Sequence, residues 1–90
     1  MGSFEFDEGK SCSNLEKHGI DFYEAQAIWK DDRRIEVPAK TVDEPRSMVI
    51  GRIGQKVWSA VVTPRGDNVR LISVSRARRE EIELYESFDL

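Results

Sequence analysis

Residues 56–77 read KVWSAVVTPRGDNVRLISVSRA, a pattern that predicts a β-hairpin. Val57–Thr63 is nearly all apolar and rich in valine, as a strand buried on both faces requires. Pro64–Asn68 supplies fixed or positive φ for a five-residue loop. Val69–Ser75 is the returning strand. Arginines punctuate the unit: Arg65 at the tip, Arg70 within the second strand and Arg76 at its end. The rest of the chain is expected to cover one side of this hairpin and leave its arginines outward.

Upstream, Arg46–Ile53 is a further strand centred on Met48, Val49 and Ile50. Gly51 within it marks a bulge or a close backbone approach. Gly54-Gln55 turns this strand into the hairpin. Arg34–Val37 alternates and predicts a strand that stops at Pro38, with 41–45 as a loop. Before it, Asp21 is an N-cap with Glu24 three residues on, so a helix begins there. Phe22, Ala25, Ile28 and Trp29 form its apolar stripe, and Lys30–Arg33 ends it as a polar turn. An earlier helix spans 8–18. Asp7 is its N-cap, Glu8 suits its first turn, Lys17 and His18 suit its last, and Gly19 is the C′ residue. Phe4-Glu5-Phe6 is a short first strand. Downstream, Arg78–Glu86 reads as a helix, and the tail from Ser87 to Leu90 is expected to fray. The fold class is α+β: a short N-terminal strand, two helices, an antiparallel four-strand meander and a C-terminal helix. The helices pack on one side of the sheet.

Ninety residues make one domain with one modest core, burying about 60–65% of the unfolded surface. No apolar run reaches the roughly 20 residues needed to span a bilayer, and no signal peptide is read at the start. The single cysteine, Cys12, cannot form an internal disulfide and fits a reducing cytoplasm. No base accompanies it, so it reads as an inert small residue. The formal net charge is −3, but it is unevenly placed. Residues 46–79 carry eight Lys/Arg and only Asp67, whereas the segments on either side are acidic. A polyanion would meet that local patch and not the average. A solvated, arginine-rich sheet face would show the same composition.

The chain also resembles a known family. The residues that carry the resemblance begin with Phe4-Glu5-Phe6-Asp7, Lys10 and Asn14-Leu15-Glu16-Lys17-His18-Gly19-Ile20. They continue through Phe22, Glu24-Ala25, Arg46, Ile50-Gly51-Arg52 and Arg65, then Arg70-Leu71-Ile72-Ser73, Arg76-Ala77, Glu81 and Tyr85. In this order and spacing they resemble the BrnT ribonuclease toxins of bacterial toxin–antitoxin modules. The resemblance implies a compact RelE-like fold and RNA cleavage with no metal and no cofactor. It implies a tightly bound BrnA-like antitoxin, operator DNA contacted only through that antitoxin, and a toxin dimer within the complex. Where members commonly carry Arg two residues after the Ile-Ser pair, this chain has Ser75, with Arg76 next.

Metal-free RNA cleavage activates the 2′-hydroxyl against the adjacent phosphate, so it needs a base, an acid and positive charge on the phosphorane. His18, the one histidine, is the natural proton carrier. It equally suits the helix end beside Gly19, and both roles stay open. Lys17 steadies negative charge, Arg65 and Arg76 bond phosphate oxygens through their planar forks, and Tyr85 donates to a leaving oxygen. These five are the candidate catalytic residues. Arg46, Arg52 and Arg70 are candidate RNA-binding residues. Strict alternation would place Arg70, Ile72, Val74 and Arg76 on one sheet face, with Arg70 and Arg76 roughly 20 Å apart, too far for one phosphate but suited to adjacent phosphates of an RNA strand. No His, Cys, Asp or Glu spacing suggests a metal site, and no Gly-rich phosphate loop appears. The rivals to a ribonuclease toxin are a module that only binds the antitoxin and a plain RNA-binding domain.

Overall fold

The structure is a computed structural model that describes residues 3–39 and 44–87. The loop expected at 41–45 and the tail after Ser87 lie mostly outside these residues. β1 (Phe4–Glu5) leads to α1 (Glu8–His18) and α2 (Phe22–Ala25), which tightens into a 3₁₀ helix over Gln26–Lys30. β2 (Ile35–Pro38), β3 (Ser47–Ile53), β4 (Lys56–Arg65), β5 (Asn68–Arg76) and α3 (Arg79–Ser87) follow. The helix ends are fixed by the residues that the sequence nominates. Asp7 accepts the Lys10 N–H and Asp21 the Glu24 N–H, while Gly19 closes α1 at φ 77°. Phe22, Ala25 and Ile28 are all fully buried, and their spacing of three suits the tighter 3₁₀ winding.

The sheet has five strands in the order β1-β5-β4-β3-β2. β2 to β5 pair antiparallel in succession, and β1 adds to the edge of β5 in parallel, Phe4 opposite Val69. The hairpin loop is shorter than expected. Arg65 pairs with Asn68, leaving a two-residue turn, Gly66-Asp67, with glycine first at φ 59°. Gly51 marks a close approach and not a bulge: a Cβ there would stand 2.9 Å from Ile28 Cγ2.

The expectation of helices on one side does not hold. Val49, Trp58, Ala60, Val62, Leu71 and Val74 face α1, α2 and the 3₁₀ helix, with Phe22 and Ile28. Ile50 and Val57 point the opposite way, into a second cluster closed by Tyr85 and Ile82 of α3. A central strand apolar on both faces needs cover on both, and α3 supplies the second layer. Each fully buried Phe22, Ile28, Ile50 or Leu71 contributes roughly 1.5–3 kcal/mol through apolar burial.

Strict alternation in β5 also fails. Val62 pairs with Leu71 but Val61 with Ser73, so Ile72 is an extra residue, a β-bulge. Leu71 and Val74, three apart, therefore share the core face. Arg70 and Arg76 consequently lie on opposite faces of the sheet. The former sits on the α3 face with Thr63, the latter on the α1 face opposite Trp58.

Candidate functional site

The eight candidate residues fall at two ends of the sheet. Arg65 flanks the Gly66-Asp67 turn, with Arg70 opposite Thr63 and Arg46 beside Ser47, the partner of Val62. Arg76 pairs with Trp58, and Arg52 lies one residue past Gly51, the other partner of Trp58. Seven residues of β4 separate Trp58 from Arg65, which is about 23 Å of strand. Arg65, Arg70 and Arg76 thus do not converge on one phosphate.

At the turn end two of the three arginines meet carboxylates. Arg70 Nη1 is 3.8 Å from Glu5 Oε1, and Asn68 Nδ2 donates to Glu5 Oε2 at 2.7 Å. Arg46 pairs with Glu44 at 3.3 Å. Arg65 is exposed beside the turn.

At the other end the arginines lie against aromatic rings. The Arg76 guanidinium carbon stands 5.6 Å from the Trp58 ring centroid, and that of Arg52 stands 5.9 Å from the Tyr85 ring. Asp31, just after the 3₁₀ helix, lies beside Arg52 and Tyr85. Its Oδ2 accepts the Tyr85 hydroxyl at 2.6 Å and the Arg52 backbone N–H at 2.8 Å, while Oδ1 accepts the Arg33 N–H at 2.9 Å. β2 begins opposite Ile50, so the Asp31 carboxylate caps the β3 edge beyond the reach of β2. Burial works against this carboxylate. The hydrogen bonds from Tyr85, Arg33 and Arg52, with the Arg52 charge nearby, outweigh that and hold its pKa below the ordinary 3.8. Burial, with the bond to Asp31, pushes the Tyr85 phenol up to about 12. Tyr85 is buried and its proton is committed to Asp31, so it joins α3 to the sheet end.

α1 carries Lys17 and His18 toward the same end. β1 sets the start of this segment beside Val69, and Asn14 fixes α1 farther along β5. Asn14 Nδ2 donates to the Val74 and Ile20 carbonyls at 2.8 Å, and its Oδ1 accepts the Val74 N–H at 3.0 Å. Lys17 and His18 lie beyond this anchor as Arg76 lies beyond Val74, and both are exposed. Cys12 is also exposed on α1 and has no disulfide partner.

A shallow depression of about 350 Å³ opens at this end, lined by Ala27, Lys30, Asp31, Arg52, Ile53 and Gly54. Among the described residues no three His, Cys, Asp or Glu side chains gather as a metal site would need. No helix among them is long and apolar enough to cross a membrane.

Asp31 and Trp58 were not among the candidates read from the sequence, and Asn14 entered only through the family resemblance. Asp31 had a local signal. An Asp two residues before Arg33 can accept that residue's N–H in an Asx turn, as it does here. Asn14 had one too, since a polar residue on the apolar side of a helix needs a partner. Nothing local marks Trp58 as a platform for Arg76.

Comparison with curated proteins finds no match. A family model described as "Ribonuclease toxin, BrnT, of type II toxin-antitoxin system" matches residues 6–81. That span covers α1 to the first turn of α3, with Asn14, Lys17, His18, Asp31, Arg52 and Arg76 inside it. The chain belongs to the BrnT family of ribonuclease toxins of type II toxin–antitoxin systems.

Proposed function

We propose that the chain is a metal-independent endoribonuclease of RelE-like fold that cleaves single-stranded RNA at the sheet end holding Lys17, His18 and Arg76. The observation that carries this reading is the Asn14 clamp on Val74, which directs the end of α1, with Lys17 and His18, along β5 toward Arg76. Arg76 stands over Trp58, which orients its guanidinium, and among the described residues no carboxylate pairs with it. A planar fork held this way suits the charge that grows on the phosphorane oxygens. His18 moves the proton, taking it from the 2′-hydroxyl or giving it to the leaving oxygen. Lys17 adds charge beside it. Tyr85 and Asp31 hold the end together and do not touch substrate. Arg65, Arg46 and Arg70 lie some 20 Å away at the turn end and bind the flanking strand at most.

In this reading the whole chain is one cytoplasmic toxin domain. A BrnA-like antitoxin neutralises it within a complex containing a toxin dimer and meets operator DNA on its behalf. A second reading, an antitoxin-binding module with weakened cleavage, draws on Ser75. Ser75 pairs with Ser59, facing away from the Trp58 side, so Arg76 does not substitute for an arginine at position 75.

The test is cleavage of a labelled single-stranded RNA in EDTA, with His18→Ala, Arg76→Ala and Arg65→Ala beside the unmutated chain. The proposal expects cleavage that survives EDTA, falls in the first two variants and persists in the third. A folded, unmutated chain that leaves RNA intact would favour the binding module.

A further inference from the structure

From the geometry of the 350 Å³ depression, we infer that it binds a phosphate of the RNA strand next to the one cleaved, held by Lys30 and Arg52. This rests on the proposed ribonuclease reading and adds a subsite to it. Lys30 is exposed at the end of the 3₁₀ helix, and Arg52, exposed on β3, lines the same depression. Among the described residues neither cation has a carboxylate within ion-pair distance. Asp31 lines the depression beside them and its charge acts on Arg52, so two cations share the site with one carboxylate. Both its oxygens are occupied by donors, Tyr85 Oη and the Arg33 and Arg52 N–H groups. The Tyr85 ring holds the Arg52 guanidinium, leaving its N–H edges available to phosphate oxygens.

The rest of the lining fits a nucleotide. Ala27 and Ile53 give an apolar floor for a ribose or a base edge. Gly54 at the rim has a φ of 63°, and even a Cβ there would meet nothing within 4 Å, so the mouth is open. The position fits as well. Gly51 and Arg76 flank Trp58 on either side of β4. Arg52 is next to Gly51, which puts its backbone about 10 Å from that of Arg76 across two strand spacings. Arg76 stands on the α1 face and Arg52 on the α3 face, so a single strand that crosses the sheet end would meet both with neighbouring phosphates.

The experiment measures anisotropy of a labelled 2′-O-methyl RNA, which cannot be cleaved, across a salt titration. Lys30→Gln and Arg52→Gln are compared with the unmutated chain, and cleavage of ordinary RNA is followed in parallel. Arg52→Gln keeps the backbone bond to Asp31, and Lys30 is exposed, so both variants are expected to fold; thermal melts check this. Each variant should weaken binding roughly 5- to 10-fold and lower the salt slope by about 0.7, the share of one single-strand phosphate. KM should rise while kcat is kept, because the contact is equal in ground and transition states. Unchanged affinity and slope in folded Lys30→Gln, with an unmutated chain that binds and cleaves, would overturn the subsite alone. An unmutated chain that neither binds nor cleaves RNA would instead overturn the ribonuclease reading beneath it.

Discussion

The two ends of the sheet use the same residue type in different ways. At the Gly66-Asp67 turn, Arg70 is held by Glu5 and Arg46 by Glu44. At the other end Arg76 lies on Trp58 and Arg52 on Tyr85, and Asp31, which accepts the Tyr85 hydroxyl, is near Arg52 without forming an ion pair with it. A carboxylate partner cancels the field that an RNA would feel, whereas an aromatic face orients a guanidinium and leaves its charge in place. Counting arginines therefore does not locate the site. In the proposed reading, what each arginine rests on does.

The largest expected effect tests this contrast directly. Arg76→Ala should lower the cleavage rate about 100-fold, the usual cost of removing one group that stabilises transition-state charge. Arg65→Ala should leave it nearly unchanged. Single-turnover cleavage of the same RNA by both variants measures the difference. The opposite order would move the chemistry to the turn end and break the comparison.

Much of this arrangement was legible in the sequence, and the parts that were not share a cause. The caps at Asp7 and Asp21, the left-handed Gly19 and the central hairpin are decided by a few adjacent residues, so local reading finds them. The bulge at Ile72 is different. Leu71-Ile72 offers two adjacent apolar residues, and only pairing with Val61 and Val62 decides which one is extra. That choice moves Arg76 to the face opposite Arg70. The side taken by α3 is equally non-local. Its stripe of Ile82 and Tyr85 fits any apolar surface, and Ile50 with Val57 on the second face selects it. Asp31 looked like part of a polar turn because its partner Tyr85 is 54 residues away.

The next effects are on stability. Asp31→Ala leaves the Tyr85 hydroxyl and two backbone N–H groups without their acceptor, and should cost about 1–3 kcal/mol in urea unfolding. An Asp31→Ala protein as stable as its parent would mean that α3 docks by apolar contact alone. The same latch should appear in pH dependence, with opposite signs for its two members. The Asp31 pKa is lower folded than unfolded, so its contribution is complete above the ordinary 3.8 and fades as pH falls through the folded value. Tyr85 goes from 10.0 unfolded to about 12 folded. Its contribution is complete below pH 10 and is lost as pH rises from 10 toward 12. Tyr85→Phe should flatten the alkaline loss and leave the shape of the profile between neutrality and pH 10 unchanged. Denaturant midpoints collected across that range, for parent and variant, decide the point.

The smallest effect belongs to the turn end, and its smallness is the argument. The Arg70–Glu5 pair is about one-third exposed on both sides and 3.8 Å long. Water screens a pair of that kind, so Arg70→Gln should change stability by less than about 1 kcal/mol. If the carboxylate also withdraws Arg70 from RNA, the same variant should barely move the salt slope of RNA binding, in contrast to Lys30→Gln. Glu5→Gln then becomes the sharper probe. Removing the carboxylate frees the Arg70 charge, and RNA affinity should rise slightly with a steeper salt dependence. A fall in affinity would show that Glu5 positions Arg70 for RNA instead of cancelling it, and the two ends would then form one continuous binding track.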